Sequence, residues 1–297
     1  SMAKFFFLFL VSFSLFAQTS QKPLVEGYQG MVVTTHPVAS DVGLAILKKG
    51  GNAIDAAVAV NFALAVCHPS AGNIGGGGFL VYRDKAGNVK ALDYREKAPA
   101  AASRDMYLDA EGKIIPGKSM TGIFSVGVPG TVAGMQEMHD KLGKLPWSVL
   151  LQPAVDLARN GLVLTEKEAR GLNRQRTEFL KENPGKNYLL SAEGKEWKVG
   201  EILIQTDLAN TLELILKKKS SGFYAGKTAD LLVAEMDRQG GLITKKDLRK
   251  YRAVWRQPIT QAYKNYQIIG IFQSHLVLYS ISQYHQFYHQ KRIGGHF

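Results

Sequence analysis

The chain has 297 residues, 45% of them hydrophobic and 21% charged, which is enough for a substantial core and argues against an intrinsically disordered chain. Its formal net charge is +12, from 37 Lys+Arg against 25 Asp+Glu, but the cations are scattered and no basic stripe carries interleaved aromatics, which argues against a nucleic-acid binder. The one cysteine, Cys67, excludes an intrachain disulfide and a cysteine zinc cluster, and its place in an apolar run marks it as packing rather than as a nucleophile.

At the N-terminus, Lys4 precedes an apolar run over residues 5–16, broken only by Ser12 and Ser14 and followed by Ala17-Gln18-Thr19-Ser20. A positive start, a short apolar segment and a small residue at its end predict a signal peptide over residues 1–17. The run is shorter than the roughly 20 apolar residues a membrane-spanning helix needs; an uncleaved anchor and a core strand are the alternatives. No later segment qualifies as a span. The mature protein is therefore expected to lack a stable membrane span and to be exported, to the periplasm or the extracellular space.

Residues 30–35 (Gly-Met-Val-Val-Thr-Thr) read as a first strand and residues 41–49 as a helix broken by Gly50-Gly51-Asn52. Residues 53–67 form an almost wholly apolar helix, and a helix without a polar face has to lie inside the protein. Glycine-dense residues 70–78 cannot be regular structure, while residues 79–83 and 89–94 are strands flanking a hairpin turn. After a turn-rich stretch over 104–125 come helices at 130–142 and 147–160, closed by Gly143 and Gly161, where left-handed geometry suits glycine. Residues 166–181, 207–218 and 228–239 continue in helical style. Thr244-Lys245-Lys246-Asp247 is a capping-box pattern opening a short helix, and residues 253–260 and 266–270 read as a closing hairpin. The mixture suits a layered sandwich with helices covering sheet.

The chemistry-bearing patterns are few. Residues 112–119 (Gly-Lys-Ile-Ile-Pro-Gly-Lys-Ser) fit the P-loop formula, but the lead-in Asp109-Ala110-Glu111 is polar and the follow-on holds Gly122, Gly127 and Pro129, so a surface turn is the better reading. Gly75-Gly76-Gly77-Gly78 lacks dinucleotide spacing and precedes a strand; it lets the backbone pass close either to other main chain or to a substrate, and both readings stand. Of seven histidines only His285 and His289 share i,i+4 spacing, without an acidic companion, so neither a metal nor a cofactor is expected. No Gly-x-Ser-x-Gly elbow occurs. Arg95, in Asp93-Tyr94-Arg95-Glu96-Lys97-Ala98-Pro99, stands where an apolar strand ends. A guanidinium there either grips a ligand carboxylate through two parallel hydrogen bonds or forms a salt bridge with Glu96 or another local acid.

Several segments together resemble the γ-glutamyltranspeptidases, the glutathione-hydrolysing N-terminal-nucleophile hydrolases. They are Gly50-Gly51-Asn52-Ala53-Ile54-Asp55-Ala56-Ala57-Val58-Ala59, His68-Pro69 with Gly72-Asn73-Ile74-Gly75-Gly76-Gly77-Gly78-Phe79, and Tyr94-Arg95-Glu96-Lys97-Ala98-Pro99. In the same order follow Val128-Pro129-Gly130-Thr131-Val132-Ala133-Gly134, Leu145-Pro146-Trp147, Gln152-Pro153-Ala154, Leu157-Ala158-Arg159-Asn160-Gly161, Phe223-Tyr224-Ala225-Gly226 and Gly240-Gly241-Leu242-Ile243-Thr244. The resemblance covers residues 21–270 as a large-subunit-like region and implies an α+β, αββα sandwich of which this chain holds the large-chain part only. It also implies a precursor that cuts itself, a zymogen, whose small chain begins with the nucleophilic threonine; the α-amine of that residue can serve as its base. By the same resemblance Arg95 binds the α-carboxylate of a γ-glutamyl donor such as glutathione, and the partner is the small-subunit region of the same precursor.

Residues 271–297 depart from the family pattern, being dense in Gln, His, Tyr and Ser without Asp or Glu. Codons permitted for residues 272–277, read from the third base, can spell Pro-Ile-Pro-Ser-Ser, so an aberrant, frameshifted tail is expected. No threonine present occupies the nucleophile position, and the isolated chain is expected to be inactive. The alternatives are an inactive secreted binding protein for γ-glutamyl or other carboxylate ligands and a related amidase, such as a cephalosporin acylase or a poly-γ-glutamate-cleaving enzyme.

Overall fold

The computed structural model describes residues 25–182, 189–191 and 194–271, and the chain divides into Ser1–Met31 and Val32–Phe297. The expected signal peptide lies outside the described residues, as does the expected tail apart from Ile271. Among the described residues, every helix and strand belongs to the second unit.

Helix α1 (Pro37–Lys48) begins earlier than its apolar pattern suggests, because His36 caps it through Nδ1, which accepts from the Val38 amide at 3.3 Å, and proline occupies the first helical position. The strand expected over 30–35 is not formed. Thr34 Oγ1 instead donates to the His36 carbonyl at 2.7 Å and meets Ser40 Oγ at 2.8 Å, so local side-chain bonds displace a ladder. Helix α2 (Ala53–Cys67) runs as its sequence predicts and lies between α1 and later helices, with Val58, Phe62 and Val66 wholly buried. Each such large apolar side chain contributes about 1.5–3 kcal/mol on burial.

Strands β1 (Phe79–Arg83) and β2 (Val89–Asp93) pair antiparallel, Phe79 opposite Asp93, across a turn in which Asp84 accepts from the Ala86 and Asn88 amides. The P-loop-like segment is an exposed turn, with Gly112 and Gly117 at φ 76 and 78, and only a single 3-10 turn at Ile123–Ser125 follows it. Helices α3 (Thr131–Leu142) and α4 (Trp147–Asn160) come next. Of their closing glycines, Gly161 has the positive φ expected, 99, whereas Gly143 has φ −70 and is needed because a Cβ would stand 2.7 Å from the His139 carbonyl oxygen.

A short ribbon, β3 (Leu162–Val163) against β4 (Ile202–Leu203), flanks α5 (Glu166–Glu182). Then follow α6 (Thr206–Lys218), α7 (Ser221–Tyr224), α8 (Gly226–Gln239), which ends on left-handed Gly240, and α9 (Lys245–Lys250), which opens with the predicted Thr244/Asp247 capping box. The expected closing hairpin is divided differently. Strand β5 (Val254–Arg256) joins β2, with Trp255 opposite Leu92, and only β6 (Pro258–Tyr263) pairs with β7 (Tyr266–Ile271). Pro258, which has no amide proton, opens the new strand after Gln257. The β7 strand lies against β1 and β2, and helices flank the strands, an α+β arrangement.

The main core joins α2, α3, α4 and α6 with Leu92 and Tyr94; Phe62 meets Trp147 edge to face at 5.7 Å. A second cluster gathers Ala39, Ala63, Cys67, Leu162, Leu164, Leu172 and Leu203. Cys67 is wholly buried there, and burial pushes its thiol up to about 11, in keeping with a packing role. Among the described residues no helix is long and apolar enough to cross a membrane.

Candidate substrate-binding site

The site is built on the four residues that leave β2. Tyr94 extends the β1–β2 ladder, donating to the Gly78 carbonyl at 3.0 Å and accepting from the Gly78 amide at 3.4 Å. Three residues on, Lys97 exchanges backbone hydrogen bonds with Val128, at 3.2 and 2.7 Å. The backbone carrying Arg95 is thus held at both ends, between the glycine-rich loop and the loop entering α3.

Those two loops are also bonded to each other. The Gly76 carbonyl accepts from the Gly130 and Thr131 amides at 2.7 and 3.0 Å, satisfying donors at the N-terminus of α3. The Asn73 side-chain oxygen accepts from Thr131 Oγ1 at 2.9 Å and from the Gly76 amide at 2.7 Å. A Cβ at Gly77 would stand 2.6 Å from the Tyr94 carbonyl oxygen and 2.8 Å from the Arg95 Cα; one at Gly134 would stand 2.2 Å from the Tyr94 ring. At Gly130 it would stand 1.9 Å from the Tyr94 carbonyl oxygen and 2.2 Å from the Tyr251 hydroxyl. Within the glycine run, Gly77 lies against the backbone of residues 94–96 and Gly78 against the Tyr94 ring, while a Cβ at Gly75 would meet nothing within 4 Å.

Three cations gather here with different roles. Arg256 on β5 grips Asp93, its Nε and a terminal nitrogen both 2.7 Å from Oδ2, while Asp93 Oδ1 accepts from the Arg95 amide at 3.0 Å. Lys97 Nζ donates to the Arg252 carbonyl at 2.8 Å and lies 5.0 Å from the Tyr251 ring centre, so it acts as a strut. Arg95 is exposed at the end of the strand, as the sequence places it.

Two tyrosines complete the arrangement: Tyr224, which lies in the motif at residues 223–226, and Tyr251, which no motif includes. Tyr251, just beyond α9, donates its phenolic hydrogen to the Arg95 carbonyl at 2.7 Å and stacks on Tyr224, ring centres 5.9 Å apart and planes 4° off parallel. Tyr224 donates to the Pro129 carbonyl at 2.8 Å and accepts from the Ala133 amide at 3.3 Å. Burial, then the negative charges of Asp93 and Glu96, hold the Tyr251 phenol well above its ordinary range, so it stays a donor at any working pH. Nothing in the local pattern marks Tyr251, because its partner is 156 residues away in sequence.

Other shared motifs prove to be scaffold. Asp55, wholly buried, accepts from the amides of Asn52 (2.9 Å), Lys144 (2.9 Å) and Leu145 (3.2 Å), while Asn52 Nδ2 donates to the Leu142 carbonyl at 2.7 Å. The N-terminus of α2 and the α3–α4 joint are therefore one capping structure. Trp147 adds a bond from Nε1 to the Ile215 carbonyl at 3.0 Å.

Comparison with known proteins covers most of the chain. A family profile described as Gamma-glutamyltranspeptidase matches residues 39–290. The glutathione hydrolase proenzyme of Escherichia coli is 46% identical over 247 residues, covering 83% of this chain and 43% of the relative, so the chain spans less than half the length of that protein. The crystal structure of Helicobacter pylori gamma-glutamyltranspeptidase superposes with a TM-score of 0.82 at 44% identity, over 84% of this chain and 72% of that one. Cephalosporin acylase from Bacillus halodurans superposes with a TM-score of 0.71 at 30% identity, over 83% of this chain and 48% of that one. The fold is that of the N-terminal-nucleophile hydrolases.

Proposed function

Because this chain belongs to the gamma-glutamyltranspeptidase family, we propose that it supplies the donor-binding part of an enzyme that transfers or hydrolyses γ-glutamyl groups, with glutathione as a representative substrate. Arg95 is the residue that receives the donor's α-carboxylate. The observation carrying this reading is an exposed arginine at the strand end whose backbone glycines and Tyr251 clamp on both sides. A planar, permanently charged fork on a fixed root suits a carboxylate, and lysine cannot reproduce its two parallel bonds.

In this reading the nucleophile is the N-terminal threonine of the small-subunit region of the precursor. Its hydroxyl adds to the γ-glutamyl carbonyl, its own α-amine takes the proton and delivers it to the departing amine, and water or an amino acid then takes the acyl group from the ester. Residues 1–17 direct export. The isolated chain binds donor but does not turn it over.

Calorimetric titration of the chain with L-glutamate and glutathione tests the assignment, alongside Arg95→Lys. The expected result is binding by the wild type that weakens about ten- to a hundredfold in the variant, the range for losing a hydrogen-bonded charge contact. Equal binding by both would remove Arg95 from the site, and release of the aniline from a γ-glutamyl anilide by the purified chain would overturn the placing of the nucleophile elsewhere. The likeness to cephalosporin acylase favours one other reading, the same carboxylate grip serving a different acyl amide; glutaryl amides in the same titration distinguish it.

A further inference from the structure

We propose that Tyr251 is a positioning residue for Arg95, fixing the direction in which the guanidinium leaves the end of β2. The inference rests on the reading of Arg95 as the carboxylate-binding residue and adds to it a residue that would never touch substrate. Its basis is geometric. The Tyr251 hydroxyl donates to the carbonyl of Arg95 itself, at 2.7 Å, from a residue that is 5% exposed.

That ring cannot swing away. One face lies parallel to Tyr224, whose own hydroxyl is bonded to the entrance of α3 on both its donor and acceptor sides. The Lys97 ammonium lies 5.0 Å from the ring centre and is itself anchored on the Arg252 carbonyl. Gly130 leaves the hydroxyl its space, since a Cβ there would approach to 2.2 Å. The peptide following Arg95 is therefore held by the phenol, while Gly77, whose absent Cβ admits the Arg95 Cα, packs against the same residue. The peptide preceding Arg95 is held through its amide by Asp93 Oδ1. With the peptides on both sides of Cα fixed, the Cα–Cβ direction is fixed too, and the root of the side chain needs no further ordering when a carboxylate arrives. Ordering fewer groups on binding is how a preorganised contact gains affinity.

Tyr251→Phe removes one oxygen and keeps the ring, the stack and the cation contact, so the chain should fold; a cooperative thermal transition with its midpoint lowered by no more than about 1–6 °C, the loss of one hydrogen bond, checks this. Two probes are titrated into wild type, Tyr251→Phe and Arg95→Lys: L-glutamate and its α-amide, which lacks the carboxylate in question. The expected result is about a three- to tenfold loss of L-glutamate affinity in Tyr251→Phe, the scale of one hydrogen bond, with affinity for the α-amide unchanged. A role confined to general stability would weaken both probes alike, and that result, or no change in either, overturns the proposal. A second measurement does not depend on binding. Tryptic cleavage of the Arg95–Glu96 bond should accelerate several-fold in Tyr251→Phe while cleavage after exposed Lys113 keeps its rate; equal rates at Arg95–Glu96 would show that the hydroxyl does not hold the segment. If wild type and Arg95→Lys bind L-glutamate equally, the carboxylate reading fails and the functional half of this proposal with it, whereas the proteolysis still decides whether Tyr251 positions Arg95.

Discussion

Gly130→Ala is the sharpest perturbation of the clamp. The glycine has φ −117, which any residue adopts, so its requirement is purely one of space. The added Cβ would stand 1.9 Å from the Tyr94 carbonyl oxygen and 2.2 Å from the Tyr251 hydroxyl, against the roughly 3.5 Å at which such atoms rest. Both neighbours would have to retreat by more than about 1 Å, and the first is backbone one residue before Arg95. Overpacking of a fixed site costs about 1–3 kcal/mol, and contact with main chain places this case at the upper end. At about 2–4 °C per kcal/mol for a unit of this size, the thermal midpoint should fall by about 6–12 °C. Affinity for L-glutamate should fall further than stability alone requires, by up to about a hundredfold, because an ångström of misplacement is costly in a positioned site. Differential scanning fluorimetry and calorimetric titration read the two effects. The double variant Gly130→Ala/Tyr251→Phe provides an internal control: removing the hydroxyl takes away the nearer of the two Tyr251 atoms, leaving Cζ at 2.7 Å, so the pair should be less destabilised than the sum by about 0.5–1.5 kcal/mol. A midpoint within a degree of wild type, or strict additivity, would refute the close approach on which the clamp is argued.

Two further predictions concern the scaffold. Asp55→Asn replaces a carboxylate holding three main-chain amides by a group with one acceptor oxygen and a donor facing a donor; urea unfolding should show a loss of about 2–4 kcal/mol, and a change below about 0.5 kcal/mol would contradict the capping role. Cys67, its thiol raised from an ordinary 9.0 to about 11 by burial, should resist iodoacetamide at pH 8 in the folded chain and react once urea unfolds it. Because the folded value lies above the unfolded one, the stability Cys67 contributes is complete below about pH 9 and is lost as pH rises from there through 11. Cys67→Ala should flatten that part of the stability curve, and rapid native labelling would contradict the burial.

The parts of the fold legible in the sequence are those set by short-range forces. Helices α2 and α4 are readable to the residue because their signals are local: Asn52 with Asp55 caps one, and Pro146 and Gly161 bracket the other. The strand end at Arg95 is equally local, an apolar run stopped before Pro99. The misread segments are those decided by competing partners. Residues 30–35 have β-branched character but spend Thr34 on the α1 cap, and residues 253–260 look like one strand but divide at Pro258 between two sheets. The clamp around Arg95 is invisible for a related reason. Its partners come from four separate stretches of chain, and several contribute by lacking a side chain, which leaves no chemical signature in the sequence.

The division of the shared motifs into scaffold and clamp has a consequence that single-site stability data would miss. Asp55 and Trp147 act on helix joints rather than on the β2 end, so their loss should lower stability while leaving the ratio of L-glutamate to α-amide affinity intact. Gly77, Gly130 and Tyr251 touch the backbone on either side of Arg95 and should shift that ratio whatever they do to stability. A long, flexible guanidinium is an entropically expensive group to aim, with about 2 kcal/mol of rotamer freedom of its own. Fixing its root through glycine contacts and one phenol lowers the cost of aiming it. The placing of Arg256 on Asp93 fits that logic: the structural acid at the strand end is neutralised by a cation from β5. Replacing Arg256 should therefore loosen the β2–β5 edge, and the Arg95 amide with it through Asp93 Oδ1, rather than remove a ligand contact.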